Sequence, residues 1–361
     1  MQNKSFNSIL GTIGSTPLVR LNKVTQKNKK LINHQFFAKI ESFNPGGSIK
    51  DRIGVSIIEG AEKRGEIRPG GYLVEATSGN TGIGLAMVAA VRGYKCIFVL
   101  PEKISLEKRA MLRAYGARVI ITPTGLEPED PMSHYSVAKK IADHLKATTG
   151  NCFYTNQYHN PDNYQIHYDI TGPEIWNQTN GEIDVFCAGV GTGGTLSGVA
   201  KYLKEKNPRV KIVCADPIGS ILFDLFYHGK VIDPPAAYKV EGVGEDMLPD
   251  NCRLNLYDDF IKVNDKESFL LTRDLVADEG LCVGPSSALI LAGAMKYAEK
   301  LEKPSKIVVV FPDSGKAYLS KAFNDQWMVD NDFLSPEILK AAFNSEVKAE
   351  VEMKALMKVT V

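Results

Sequence analysis

Lys50 lies in the stretch NPGGSIKDR (residues 44–52), between an extended apolar run, FFAKI (36–40), and a helical pattern that begins near Ile53. Pro45, Gly46 and Gly47 make the turn tight and allow backbone to approach a ligand closely. A lysine at such a strand-to-helix junction, with its stem directed inward, has the placement of a nucleophile. The same letters also suit a solvated helix start capped by Ser48 or Asp51, so the stretch takes its meaning from its company. Three further turns are small and rich in hydroxyls: TSGNTG (77–82), GTGGT (191–195) and GPSS (284–287). Each opens a helix, and in open parallel sheets ligands gather outside the carboxyl ends of strands. Three such turns and a lysine point to one shared cleft.

GTGGT reads as an anion site. Its glycines let backbone N–H groups converge, the helix that begins there adds partial positive charge, and Thr192 and Thr195 carry hydroxyl donors. A competing reading exists. Gly189, Gly191 and Gly194 also satisfy G-x-G-x-x-G, and Asp216 ends the next strand where a ribose-binding acid is expected, as in a nicotinamide dehydrogenase. That reading leaves Lys50 and TSGNTG unexplained, and it places the fingerprint in mid-chain after a complete set of strands. A structural glycine turn is the plainest alternative.

The elements that must position these turns alternate short apolar runs with helical segments, the pattern of α/β folds with parallel sheets covered by helices. Strands are expected at 36–40, YLVEA (72–76), CIFVL (96–100), ARVIIT (117–122), DVFCAG (184–189), KIVCAD (211–216) and KIVVVF (306–311). Helices are expected at about 53–64, through 91, at 105–115, 134–146, 161–176, to 206, to 279 and to 301. Residues 11–21 read as an approach turn, 217–264 as poorly periodic, and 330–361 as a charged tail or linker. The 361 residues, 44% hydrophobic, can bury a large core, and 43 Lys plus Arg against 42 Asp plus Glu give no charge excess that argues for nucleic acid or an anionic membrane as partner. Six cysteines include no CxxC pair, and three of them, Cys96, Cys187 and Cys214, sit in strand-like runs as buried free thiols do, which points to a reducing compartment and to no zinc or other metal site. MQNKSFNSIL lacks the apolar core of a signal peptide and no run is long enough to span a bilayer, so a cytoplasmic location is expected.

NPGGSIKDR, EATSGNTGIGLA, GVGTGGT, EGVG, GPSS and PDSG, in this order, resemble the pyridoxal-phosphate-dependent β-replacement family, the fold-type II enzymes that include cysteine synthase and cystathionine β-synthase. The resemblance covers about residues 8–328, and RGYKCIFVLPEKIS, ITPTGLEPEDPMSH and NDQWM are closer to cystathionine β-synthase. It implies a two-lobed, tryptophan synthase β-like catalytic domain over 1–329. The smaller mobile lobe would be roughly 48–150, and the larger would combine 1–47 with 151–329. By the same resemblance Lys50 matches the Schiff-base lysine, Asn80 the residue that bonds the cofactor's ring hydroxyl, and Gly191, Thr192, Gly193, Gly194 and Thr195 the phosphate cup. Ser286 matches the contact to the pyridine nitrogen. Thr77, Ser78, Thr81 and Gln157 match the groups that hold the substrate carboxylate.

What the resemblance implies is condensation of serine, or an activated serine, with a thiol. With homocysteine the product is cystathionine; the O-acetylserine sulfhydrylase reaction and a sulfide-producing side activity are the alternatives. A homodimer is expected. Haem-bearing relatives carry a Cys and a His ligand in an N-terminal extension; the region before Gly11 has neither, and no haem is expected. Relatives that continue into a regulatory module extend beyond the equivalent of Val361, so regulation of that kind is not expected. Glu245 and Asp246 follow EGVG where better-known synthases have a tyrosine, and two acids at a cleft mouth suit the amino group of homocysteine as well as they suit an exposed loop.

Overall fold

The computed structural model describes residues 5–339 apart from Ser78, Lys103, Glu127 and Pro128. The chain starts with β1 (Leu18–Leu21), β2 (Gln35–Ile40), α1 (Lys50–Lys63), β3 (Tyr72–Ala76), α2 (Asn80–Arg92), β4 (Lys95–Pro101), α3 (Leu106–Ala114), β5 (Arg118–Thr122), α4 (His134–Thr149) and β6 (Cys152–Tyr154). It continues through α5 (Pro161–Ile166), α6 (Gly172–Gln178), β7 (Val185–Ala188), α7 (Gly194–Lys206), β8 (Lys211–Pro217), α8 (Leu222–His228), β9 (Asp259–Val263), α9 (Asp265–Glu279), α10 (Pro285–Ala298) and β10 (Lys306–Phe311).

Two sheets result. One has the order β1-β2-β10-β7-β8-β9 and the other β5-β4-β3-β6, and every pairing except β1 with β2 is parallel. Parallel strands covered on both faces read as continuous apolar runs; in β10, Ile307 to Phe311 are all buried. A unit ends at Ala317 and a second begins at Tyr318. In the second, α11 (Asp325–Asp330) is capped by Asn324, whose side chain accepts from the Trp327 N–H. Among the described residues no helix is long and apolar enough to cross a membrane. All six cysteines are free, five buried and Cys282 exposed.

Several elements depart from the sequence expectation. The helix expected from Ile53 begins at Lys50 itself. The approach turn contains β1, and β6 and β9 had not been distinguished. β6 has only three residues and is recognisable through its pairing with β3, while β9 has no alternating burial, follows an irregular stretch and is defined by its pairing with β8. The poorly periodic region also holds α8. The single helix expected over 161–176 is interrupted at His167–Thr171 by a π-turn, in which the Gly172 N–H bonds the His167 carbonyl. Pro173, at the start of α6, has no N–H and its ring crowds the carbonyl four residues back, so the wider turn relieves it.

One crossing sets the geometry of the site. α1 and α2 meet backbone to backbone: a Cβ at Gly54 would lie 2.6 Å from the Gly84 carbonyl carbon, and one at Gly84 would lie 2.6 Å from the Lys50 carbonyl oxygen. Glycine inside a helix costs about 0.5–1 kcal/mol relative to alanine, and here it permits two helix starts, Lys50 and Asn80, to lie side by side. Gly84→Ala should therefore destabilise the fold by about 1–3 kcal/mol through overpacking, despite its better helix propensity. Thermal denaturation of the variant checks this; a rise in melting temperature would mean that the contact is looser than described.

Candidate active site

The turn before Lys50 is stitched to the end of β10. The Ile49 N–H donates to the Pro312 carbonyl at 2.8 Å and the Ser314 N–H to the Gly47 carbonyl at 3.1 Å. Gly47 has a φ of +85°, a conformation that glycine adopts without strain. Asp51 folds back to accept from the Gly46 N–H at 2.6 Å. Lys50 is thereby fixed at the first position of α1, and its Nζ lies 3.4 Å from Thr192 Oγ1.

A cavity opens around it, lined by Lys50, Asn80, Gly191, Thr192, Thr195 and Ser286, with Glu241 and Asp313 on the same wall. Burial drives the Lys50 ammonium down to a pKa of about 8, although the Glu245 carboxylate pulls the other way. At neutral pH roughly a tenth of this amine is unprotonated and nucleophilic.

Packing explains why the GTGGT turn needs its glycines. A Cβ at Gly191 would meet the Gly242 carbonyl oxygen at 2.7 Å, one at Gly193 the Cys252 backbone nitrogen at 2.6 Å, and one at Gly194 the Asn163 side chain at 2.2 Å. Protein fills the space behind the turn, and α7 starts there with its N-terminal N–H groups unpaired within the helix, a site for a phosphate. Ser286 stands in the first turn of α10, 3% exposed, and its hydroxyl has no partner among the described residues. An amine of lowered pKa beside an anion cup of backbone N–H groups and threonine hydroxyls, with an unpartnered hydroxyl in the same cavity, fits an aldehyde-bearing aromatic phosphate.

The structure brings Lys50, Asn80, Gly191, Thr192, Gly193, Thr195 and Ser286 to one cavity, with Gly194 just behind it. Asn80 Nδ2 donates to Asp313 Oδ2 at 2.8 Å. Thr77, Thr81 and Gln157 are not among the residues that line this cavity; Thr77 holds the turn that opens α2, and Thr81 in the first turn of α2 pairs with Gln157. Thr77 Oγ1 accepts from the Gly79 and Gly82 N–H groups at 3.0 and 3.3 Å; Thr81 donates to Gln157 Oε1 at 2.5 Å, and Gln157 Nε2 donates to the Ala76 carbonyl at 3.2 Å. Ser78 lies outside the described residues.

Three features had carried no sequence signal. Asn163 joins the Gln157 carbonyl at 2.8 Å to Thr192 Oγ1 at 2.9 Å. His167 lies between Thr171 and Thr195. Lys108 of α3, nearly fully buried, pairs with Glu241 at 2.7 Å. The four-residue spacing of Asn163 and His167 puts them on one helical face, but nothing in their residue types sets that face apart from an ordinary amphipathic stretch.

The dehydrogenase reading fails on Asp216. It is wholly buried, accepts from the Phe223 N–H at 3.2 Å, and burial raises its pKa to about 7. The carboxylate is tied into its own turn and cannot meet a ribose.

Residues 9–313 match the family model described as pyridoxal-phosphate dependent enzyme. The chain belongs to this family. Its cofactor is pyridoxal phosphate. Mouse cystathionine β-synthase is 44% identical over 335 residues, covering 93% of this enzyme and 58% of the relative. Cysteine synthase of Staphylococcus aureus is 41% identical over 321 residues, covering 89% of this enzyme and 97% of the relative. A crystal structure of a hydrogen sulfide-producing enzyme from Fusobacterium nucleatum superimposes with a TM-score of 0.78 at 37% identity, covering 87% of this enzyme and all of that chain. The enzyme spans 58% to 64% of the length of several of the cystathionine β-synthases that it matches.

Proposed function

We propose that this enzyme replaces the β-hydroxyl of L-serine with a thiol, and that with L-homocysteine it forms L-cystathionine. The observation that carries the reading is Lys50, an amine of lowered pKa at 3.4 Å from Thr192 in the cavity that Ser286 also lines. In this reading Lys50 holds the cofactor covalently, Gly191 to Thr195 hold its phosphate, and Asn80 and Ser286 address its ring. The bound cofactor supplies an electron sink for charge developing at the amino acid's Cα.

Everything else is the work of the chain. The Lys50 amine, once released, takes the Cα proton and returns a proton to the departing hydroxyl, which is a poor leaving group unless protonated. Ser286 would offer the ring nitrogen a hydroxyl, where a carboxylate would stabilise a proton, and would so keep that nitrogen neutral and moderate the sink, favouring loss of the β-group over transamination. Thr77, Ser78, Thr81 and Gln157 hold the carboxylate, and closure of the lobe carrying this turn excludes water. A homodimer is the proposed active form, and sedimentation of the purified protein tests it.

A second reading, O-acetylserine with sulfide, is favoured by the resemblance to the cysteine synthase over 97% of that relative's length. The two differ in pocket contacts worth about 1–3 kcal/mol. Feeding the purified enzyme serine or O-acetylserine, each with homocysteine or sulfide, and comparing kcat/KM decides between them. Highest efficiency with O-acetylserine and sulfide would overturn the first reading.

Glu245 offers a sharper test of the thiol. Its Oε1 lies 3.8 Å from the Cβ position of Gly191, at the edge of the cavity. If this carboxylate receives the homocysteine ammonium, Glu245→Gln removes a charge-assisted bond and raises the KM for homocysteine about tenfold or more, with the KM for serine within about twofold. Equal changes in both constants would remove the assignment.

A further inference from the structure

The two threonines of the GTGGT turn are backed by side chains whose hydrogen bonds fix which atom carries each proton. Asn163 is wholly buried, and its side-chain nitrogen donates to the Gln157 carbonyl and to Thr192 Oγ1. A carbonyl oxygen only accepts, so the atom facing it is Nδ2, and both amide hydrogens are committed. Thr192 Oγ1 is therefore an acceptor towards Asn163, as it is towards a protonated Lys50.

The same logic runs through His167. Its Nδ1 lies 3.0 Å from Thr171 Oγ1 and its Nε2 3.2 Å from Thr195 Oγ1. Thr171 is 0% exposed, and its hydroxyl has no other partner among the described residues. Unless it donates to Nδ1, its proton is buried and unmatched, which folded proteins avoid. A neutral imidazole has one N–H, so with Nδ1 accepting, Nε2–H donates to Thr195 Oγ1. The ring is kept neutral: burial, and then the charges of Arg52 and Lys50, hold its pKa well below the ordinary histidine value. Thr171 lies four residues after His167, the spacing at which helical side chains meet.

We propose that Asn163 and His167 are positioning residues that engage Thr192 and Thr195 from behind as acceptors. Both hydroxyl protons then point into the cavity, and the turn presents only donors to a phosphate. This inference rests on the reading that the GTGGT turn holds the cofactor's phosphate. The hydroxyls cannot turn their lone pairs towards a dianion without leaving Nδ2–H and Nε2–H unpaired in a dry interior.

The first test uses the unaltered protein. Long-range nitrogen–proton correlation spectra of enzyme labelled with ¹⁵N-histidine should show His167 as the neutral Nε2–H tautomer, with and without pyridoxal phosphate. An Nδ1–H tautomer or an imidazolium overturns the proposal. The second compares dissociation constants for pyridoxal phosphate and for pyridoxal, which has no phosphate. His167→Phe should weaken pyridoxal phosphate about tenfold and leave pyridoxal within about twofold, and His167→Gln, which keeps an N–H donor, should recover most of the loss. Equal weakening of both compounds would mean a merely structural role and overturn the proposal. Thr192→Val and Thr195→Val separate the two levels. If both leave the binding of pyridoxal phosphate unchanged, the phosphate assignment itself fails. If they weaken it while His167→Phe does not, only the positioning role fails.

Discussion

Replacing Lys50 with alanine should reduce turnover of serine by roughly a thousandfold or more, the scale set by losing a positioned acid–base group, and the purified variant should lack the yellow colour of the parent. Two properties of the site make this the largest expected loss of activity. The amine sits at 3.4 Å from the GTGGT turn, so no other lysine on the described cavity wall can stand in for it. Burial also lowers its pKa from 10.5 to about 8. The sign follows from linkage: a lysine whose folded pKa is depressed gives up its proton more readily, so the nucleophilic fraction grows as pH rises and levels off above the folded value. Attachment of pyridoxal phosphate to cofactor-free enzyme should then accelerate about tenfold per pH unit below 7 and reach a plateau above 8. Stopped-flow absorbance between pH 6 and 9.5 measures this. A rate that goes on rising to pH 9.5 without levelling off would show that the amine is solvated, and an alanine variant with parental turnover would end the assignment of Lys50. Because Glu245 raises the Lys50 pKa, Glu245→Gln should move the inflection to lower pH, a readout separate from its effect on homocysteine.

Much of this site was legible because its groups sit on turns, where residue type and conformation are tightly coupled. GTGGT announced itself through glycines that no other residue can replace against Gly242, Cys252 and Asn163. Lys50 stood out because the strand before it and the helix after it were both readable from apolar periodicity. What could not be read was the layer behind the turns. Asn163 and His167 are ordinary letters in an amphipathic stretch, and their meaning arises from contact with residues about 30 positions away. The same is true of β6 and β9, whose identity as strands is conferred by neighbours β3 and β8. Lys108 and Glu241 lie 133 positions apart and look like two more surface charges until the fold buries them together. Sequence reading recovers what local stereochemistry dictates and misses what only long-range pairing defines.

The clearest case of the second kind gives the largest expected loss of stability. Arg52, two residues after Lys50 and 1% exposed, donates through Nε and Nη2 to the two oxygens of Glu41 at 2.7 and 2.9 Å, and through Nη1 and Nη2 to those of Glu174 at 2.9 and 2.8 Å. Lys39, also buried, completes the group by donating to Glu174 at 2.7 Å. Two cations and two anions balance, and the set ties β2, α1 and α6 together directly beneath the Lys50 turn. Such a group contributes little net stability over an apolar replacement of the whole, but removing one member strands a charge in a dry interior. Arg52→Met should thus cost about 3–5 kcal/mol and lower the melting temperature by roughly 10 °C. Arg52→Lys should recover only part of this, because an ammonium cannot present the fork that meets both carboxylates. The pH dependence carries its own sign. Burial pushes the Glu174 pKa up, but hydrogen bonds and charge from Arg52, with Lys39 adding to them, outweigh it and bring the pKa down to about 2. The stability this confers is fully present above the ordinary carboxylate value of 4.5 and is lost as pH falls towards 2. In Arg52→Met the main opposing partner is gone, so acid unfolding should begin at a higher pH than in the parent. Chemical denaturation of cofactor-free parent and variants between pH 3 and 7 measures both effects. Equal stability of Arg52→Lys and the parent would show that the bidentate geometry contributes nothing beyond charge.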